Sequence, residues 1–196
     1  MDLTTAARVK VILDLTVAQH DTILAQLITA LSARAEKFLG RHVEQKARTE
    51  QYDVEESQFL FYLKGYPVAA SPAAVVKADL NRTFDSGSIV ATTNYYLDLD
   101  RGAIKLDAYR VVPGWGALQV AYTGGMAANV TAFITAFPHI ADAIDMQTAF
   151  VFQRRDSLGL AGYSGDGGSI SLPDIVQWLP QVRETLMSER RRAWRG

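Results

Sequence analysis

The stretch PHIADAIDMQTAFVFQRRDSLGL, residues 138–160, has a helical composition but carries apolar residues on too many sides for a helix lying on a surface. Ile140, Ile144 and Val151 form one stripe. Ala143 with Phe150, Ala141 with Phe152, and Met146 continue the apolar surface around most of the circumference. A helix apolar on most sides has to be buried on most sides. In a chain of 196 residues that cover comes from the other helices, from neighbouring copies of the chain, or from both.

Upstream, Thr4 or Thr5 is expected to cap a short helix over 6–13, because a hydroxyl there accepts from the free amides of the first turn. Asp21 is expected to cap a second helix, in which Leu24, Leu27, Ile28, Leu31, Ala35, Phe38 and Leu39 recur at helical spacing. Its other face carries Gln26, Thr29, Glu36 and Lys37, and Gly40 supplies a left-handed closing residue.

Between these helical regions the pattern changes to short β-like runs at 49–54, 58–64, 74–79, 95–99, 103–107 and 117–123. Gly65, Pro67, Pro72, Asp85-Ser86-Gly87, Asp100-Arg101-Gly102 and Pro113-Gly114 separate them as turn formers. The runs on either side of Asp100-Arg101-Gly102 make the clearest hairpin. Residues 127–137 form an apolar connector, partly helical. Downstream of the central helix, the glycines and serines of 157–169 have little to bury and read as a flexible tether. Pro173 starts a last segment with Ile175, Leu179, Val182 and Leu186 on one face, which Pro180 is expected to kink or divide.

The expected fold class is therefore α+β. It is a single domain over 1–196, with a mainly α-helical core of about four helices (1–42 and 127–182), an inserted small antiparallel β subdomain (43–125) and an Arg-rich tail (183–196).

With 48% hydrophobic residues the chain can bury a real core. A formal charge of -1 gives no global field to hold DNA or to repel it. The absence of cysteine removes disulfides and thiolate metal sites, and suits a protein assembled inside the cell. The N-terminus lacks the apolar run of a secretory signal, and no stretch is long and apolar enough to span a membrane.

Catalytic patterns are not found. His20, His42 and His139 are far apart and in no paired-ligand spacing. Asp98, Asp100 and Gly102 resemble the start of a calcium loop, but the glycine comes one place early and the twelfth position is Tyr109. As an acid/base pair, Asp98 and Asp100 would share one strand face with no second site to divide their roles. Gly162-Tyr163-Ser164-Gly165-Asp166 has Asp where a nucleophile elbow needs Gly, and no lysine follows to make a phosphate loop. No catalytic residue, cofactor or metal is expected, and the chain reads as a non-enzyme.

From Arg183 onward there are five Arg against two Glu, with Trp194 among them. This tail supports an alternative reading, nucleic-acid binding. If Arg190, Arg191, Arg192 and Arg195 all touched phosphates, affinity would fall about 150-fold between about 50 and 200 mM salt.

The order of elements resembles the head-tail connector family of tailed bacteriophages, also called adaptor or head-completion proteins. The carrying pieces are TTAARVKVIL before a helix ending AEKFLGR (35–41), GYPV (65–68), YYLDLDRGAIKL (95–106), VAYTGGM (120–126), the ADAIDMQTAFVFQRRDSLG helix and the closing LPDIVQWLPQVR. The chain departs from shorter members in its long β insert and in the residues after Arg183. The resemblance implies a virion protein of the head-tail junction, assembled in the host cytoplasm. It would form a homo-oligomeric ring, commonly of twelve copies, that binds the portal and the next neck or tail component. Double-stranded DNA would pass through the bore without sequence-specific binding, and no membrane would be involved. By carry-over, Trp178, Leu179, Arg183, Arg190, Arg191, Arg192, Trp194 and Arg195 are the portal-contact candidates. Phe150, Phe152, Gln153, Arg154 and Arg155 are the subunit-interface candidates, with the Phe150 and Phe152 faces shared between the chain's own 21–40 helix and an adjacent copy.

Overall fold

A computed structural model describes residues 1–56, 58–106, 111–155, 162–165, 168–171 and 177–190. The chain divides into two compact units, Met1–Gly40 with Val130–Gly196, and Arg41–Asn129.

The helical unit is built from α1 (Ala6–Leu13), α2 (Asp21–Leu39), α3 (Val130–Ala136), α4 (Pro138–Gln153) and α5 (Pro180–Glu189). At its centre α4 packs against each of the other four. Ile140, Ala141, Ala143, Ile144, Ala149 and Phe152 are buried there, and so are the polar Asp145, Gln147 and Thr148. A narrow strip, from Pro138 and His139 through Asp142 and Met146 to Gln153, is exposed along the helix, and Phe150 and Val151 are half-buried. Most of the apolar surface of residues 138–155 is therefore covered by the chain's own helices, with Met146 left exposed, and its composition alone does not call for a neighbouring copy. The helix starts at Pro138, where a missing amide costs nothing, and ends at Gln153; residues 156–160 of the expected helix lie outside the described residues.

Two local expectations are corrected. Thr5 is the N-cap residue of α1 but makes no side-chain cap bond, and the Thr4 hydroxyl is not available to cap either, being turned inward to donate to Asp145. Asp21 does not cap α2 but is its first residue, where its carboxylate pairs with Lys10 at 2.8 Å and faces the positive end of the helix dipole. Pro180 is the first residue of α5, which turns Val182 and Leu186 inward, and residues 173–176 of the segment expected to start at Pro173 lie outside the described residues. Gly40 closes α2 at φ 67, as its lack of a Cβ permits.

The β unit holds β1 (Lys46–Val54), β2 (Leu60–Tyr62), β3 (Val75–Ala78), β4 (Tyr95–Asp98), β5 (Ala103–Leu106) and β6 (Gly114–Gly124). Two antiparallel sheets form, in the orders β1-β6-β3 and β2-β5-β4. Phe61, Leu63, Val76, Ile104, Leu118 and Val120 fill the core they share. The β4-β5 hairpin turns at Gly102, whose φ of 59 suits glycine, and the Arg101 amide donates to Asp98 Oδ1 at 3.0 Å. Asp98 thus serves a turn.

In the glycine-rich segment the backbone of β7 (Gly162–Gly165) pairs antiparallel with β8 (Gly168–Ser171). Paired strands stand in part of the expected tether, and residues 157–161 and 166–167 lie outside the described residues. The overlooked signal is Asp166-Gly167 between the two runs, a dipeptide suited to two-residue β-turns.

Candidate functional site

Within the helical unit, the segment before α5 is tied to α4 by one side chain. Gln147 is completely buried; its Oε1 accepts from the Leu179 amide at 2.9 Å, and its Nε2 donates to the Gln177 carbonyl at 3.2 Å. Between those anchor points Trp178 lies under the Arg34 guanidinium at 4.6 Å and edge-on to Phe38 at 6.3 Å. Arg190, at the end of α5, lies over the Phe38 ring at 5.6 Å. Two arginines thus flank an aromatic pair, an arrangement favoured by the ring quadrupoles. Trp178 and Leu179 are half-buried parts of this anchor, whereas Arg183 and Arg190 are exposed. Arg191, Arg192, Trp194 and Arg195 lie outside the described residues.

At the C-terminal end of α4, Phe152 is 4 % exposed and packs among Val9, Leu24, Ile28 and Ala149. His20 meets it edge-on at 5.3 Å and the Arg155 guanidinium stacks over it at 4.1 Å. Phe152 is therefore core of its own chain, enclosed by α1, α2 and α4, and is withdrawn as a subunit contact. Phe150 is half-buried with Arg154 over its ring at 5.4 Å, and Gln153 is exposed. These accessible side chains are what remains of the interface set, together with half-buried Arg155.

The titratable groups that the fold brings together have structural work. Asp145, 1 % exposed, accepts from the Thr4 hydroxyl and from Arg8 Nε at 2.8 Å, while Arg8 also pairs with Asp142. Burial pushes the Asp145 carboxyl up, and the bonds from Thr4 and Arg8 oppose that shift. In the β unit, Glu50 receives both the Tyr122 hydroxyl, at 2.6 Å, and the Tyr52 hydroxyl. Burial, with the Glu50 contact, pushes the Tyr122 phenol up. The Asp79 carboxyl is held at about 2 by the Thr83 hydroxyl and by the amides of Asn81, Phe84 and Thr83. His139 contacts Glu189 at 3.2 Å and His42 lies 4.0 Å from Glu50, in different units. Among the described residues no group of three His, Cys, Asp or Glu is placed to hold a metal.

Two of the sequence pieces singled out above meet in the β unit. The Gly65 amide donates to the Tyr122 hydroxyl at 2.8 Å, the Gly125 amide to the Pro67 carbonyl at 3.1 Å, and the Ala69 amide to the Thr123 carbonyl at 2.8 Å. A Cβ on Gly124 would stand 2.1 Å from the Gly65 carbonyl oxygen, and one on Gly125, at φ +143, 2.4 Å from that of Glu44. The GYPV and YTGGM pieces are thus the two sides of one close backbone crossing. Sequence reasoning missed a different feature: Trp115, at the start of β6, is 82 % exposed. Its position beside Pro113-Gly114 and Gly116 was the available signal.

No protein-family model matches the sequence, and no curated protein matches it. Solved structures do. A chain in the neck of a native gene transfer agent particle, computed with C12 symmetry, matches with a TM-score of 0.57 and 17% identity, over 90% of this chain and 86% of that one. A chain in the neck of an empty particle, computed with C6 symmetry, matches at 0.57 and 18%, over 90% and 82%. A chain from the virion of a native gene transfer agent particle matches at 0.56 and 17%, over 93% and 84%. The chain shares the fold of these neck proteins across nearly all of its length.

Proposed function

We propose that this chain is a non-enzymatic structural protein of a virion neck. It forms a ring below the portal and links capsid to tail, leaving a bore through which DNA passes. The observation that carries this reading is the extent of the structural likeness, which spans 90% of this chain and 86% of a neck chain, so that it includes both the helical and the β unit. The C12 symmetry of that neck favours twelve copies. A formal charge of -1 suits a conduit that DNA crosses without being held.

In this reading Gln147 and Trp178 hold α5 in place, and the exposed Arg183 and Arg190, with residues 191–196, face the portal. Phe150, Gln153, Arg154 and Arg155 contribute at the α4 end to contacts between copies. The next neck or tail component binds another face of the ring, and assembly takes place in the host cytoplasm before the protein becomes part of the virion. Mixing the purified chain with the portal ring of the same particle and imaging by electron microscopy tests the proposal. Added density below the portal is expected. Portals that stay bare at saturating protein would sink it; a monomer in the absence of portal would not, since a ring can form on its template.

A further inference from the structure

We infer that the β unit carries both halves of a head-to-tail contact, in which Trp115 of one copy seats in the apolar groove over β1, β3 and β6 of the next. The inference rests on the ring reading and gives that ring a specific seam.

The projecting half is held rigidly. Trp115 is 82 % exposed, and the exposed Leu80 and Val112 belong to the segments beside it. Gly116 adopts φ +62, and its amide donates to Asp53 Oδ1 at 2.7 Å, where β1 shifts register between Tyr52 and Val54. Gly114 lies so close to Leu80 that a Cβ there would meet its side chain at 2.8 Å. The adjoining turn is tied by Asp79, which accepts from the amides of Asn81, Thr83 and Phe84 at 2.9, 2.9 and 3.0 Å. Arg82 and Phe84 in that turn have φ of 60 and 48, a region that non-glycine residues seldom occupy. Backbone strain of this kind persists where the surroundings enforce one geometry. An indole presented on such a base loses little freedom on docking.

The receiving half lies toward the far end of the same strand. Ala47, Thr49, Val75, Ala121 and Thr123 line an open groove of about 390 Å³, with Arg48 its one charged residue. Its mostly small, uncharged side chains leave room that an indole fills, and Val75 is itself exposed. From Trp115 to Ala121 is about 20 Å along β6, at about 3.3 Å per residue. An indole on this fixed backbone is much shorter than that distance, so it does not reach the groove of its own chain and meets that of another copy. Two different patches on one rigid unit define a heterologous contact, which closes into a ring when the rotation permits.

The test uses the full chain, on the portal and in concentrated solution, with a lysine-reactive cross-linker and the products separated by mass. The wild-type chain is expected to give a ladder rising to a closed ring. Trp115→Ala, which removes the indole, and Ala121→Trp, which fills the groove, are each expected to cut multimers by at least about tenfold, as loss of a central aromatic anchor does. Thr49→Tyr fills the groove from the edge strand should Ala121→Trp misfold by circular dichroism. An equal mixture of Trp115→Ala with a filled-groove variant retains one good indole and one good groove, so its ladder should stop at dimers. Unchanged ladders from the variants, or no self-association of the wild type in either setting, would overturn the inference. Bare portals alongside a normal solution ladder would instead count against the neck role and leave the contact standing.

Discussion

Gln147 Oε1 accepts the backbone amide of Leu179 at 2.9 Å from a position with no solvent exposure. With the bond to the Gln177 carbonyl, this one side chain supplies partners for both sides of the segment that leads into α5. Gln147→Leu would leave two backbone groups unpaired at a half-buried site, at a cost of about 1–3 kcal/mol each where water does not replace the bond. Hydrogen exchange over residues 177–190 should accelerate far more than in α2. Equal protection in variant and wild type would show that α5 is held by Val182 and Leu186 alone.

Phe150 and Phe152 should behave oppositely on substitution by Asp. Phe152 sits in the core with Val9, Leu24 and Ile28, so Phe152→Asp loses its packing and buries a charge, costing more than about 3 kcal/mol. Phe150→Asp, at a half-buried position, should cost less than about 1.5 kcal/mol. Thermal unfolding of the isolated chain separates them.

Arg8→Ala should be strongly pH-dependent. It leaves Asp145 buried without its cation, at a neutral-pH cost of about 2 kcal/mol, less than for a fully enclosed pair because Arg8 is partly exposed. The folded-state pKa of Asp145 is already raised, so stability falls as pH rises from the ordinary carboxylate value through the folded one. Removing Arg8 raises that pKa further and widens the window. Urea unfolding from pH 7 towards pH 4 should therefore narrow the gap to wild type, and Arg8→Ala combined with Asp145→Asn should lose the effect. A gap that stays constant with pH would mean that Asp145 does not titrate there.

Gly124→Ala should be among the most damaging single-methyl changes in the β unit. Its Cβ would lie 2.1 Å from a backbone oxygen, which yields only if the Gly65 crossing opens, at a cost of at least about 3 kcal/mol. Tyr122→Phe leaves the Gly65 amide and Glu50 without the hydroxyl and should cost about 1–3 kcal/mol. Gly40→Ala meets no atom within 4 Å and should cost only the strain of φ +67. Chemical denaturation of the three variants checks the order.

Much of the fold was legible in local pattern. The helix over 6–13 and the six strand runs of the insert stand where period and turn residues put them, because each property is set by neighbours in sequence. The errors have a common origin. Thr4 and Asp21 were read from helix-end rules, yet Thr4 found a tertiary partner in Asp145 and Asp21 one in Lys10. The paired strands in the glycine-rich segment were missed because glycine and serine carry no hydrophobic period.

The candidate contacts were less legible. Arg183 and Arg190 are exposed as a surface arginine suggests, but Trp178 proved to be packed under Arg34, and Phe152 inside its own chain. Trp115 has the same residue type as Trp178 and the opposite environment. Composition cannot separate the two, since each has a proline two residues away and apolar residues close by.

What the sequence by itself determined is the order and kind of elements and the many-sided burial of residues 138–153, since periodicity and composition are local quantities. Which partners bury that helix was decided only by tertiary structure. Its apolar sides are equally satisfied by a neighbouring copy or by α1, α2, α3 and α5, and hydrophobic burial has no direction that would mark one cover from the other. The same holds for Gly124 and Gly125: their spacing is written in the chain, but the Gly65 and Glu44 backbones that exclude a Cβ at each arrive from 59 and 81 residues away.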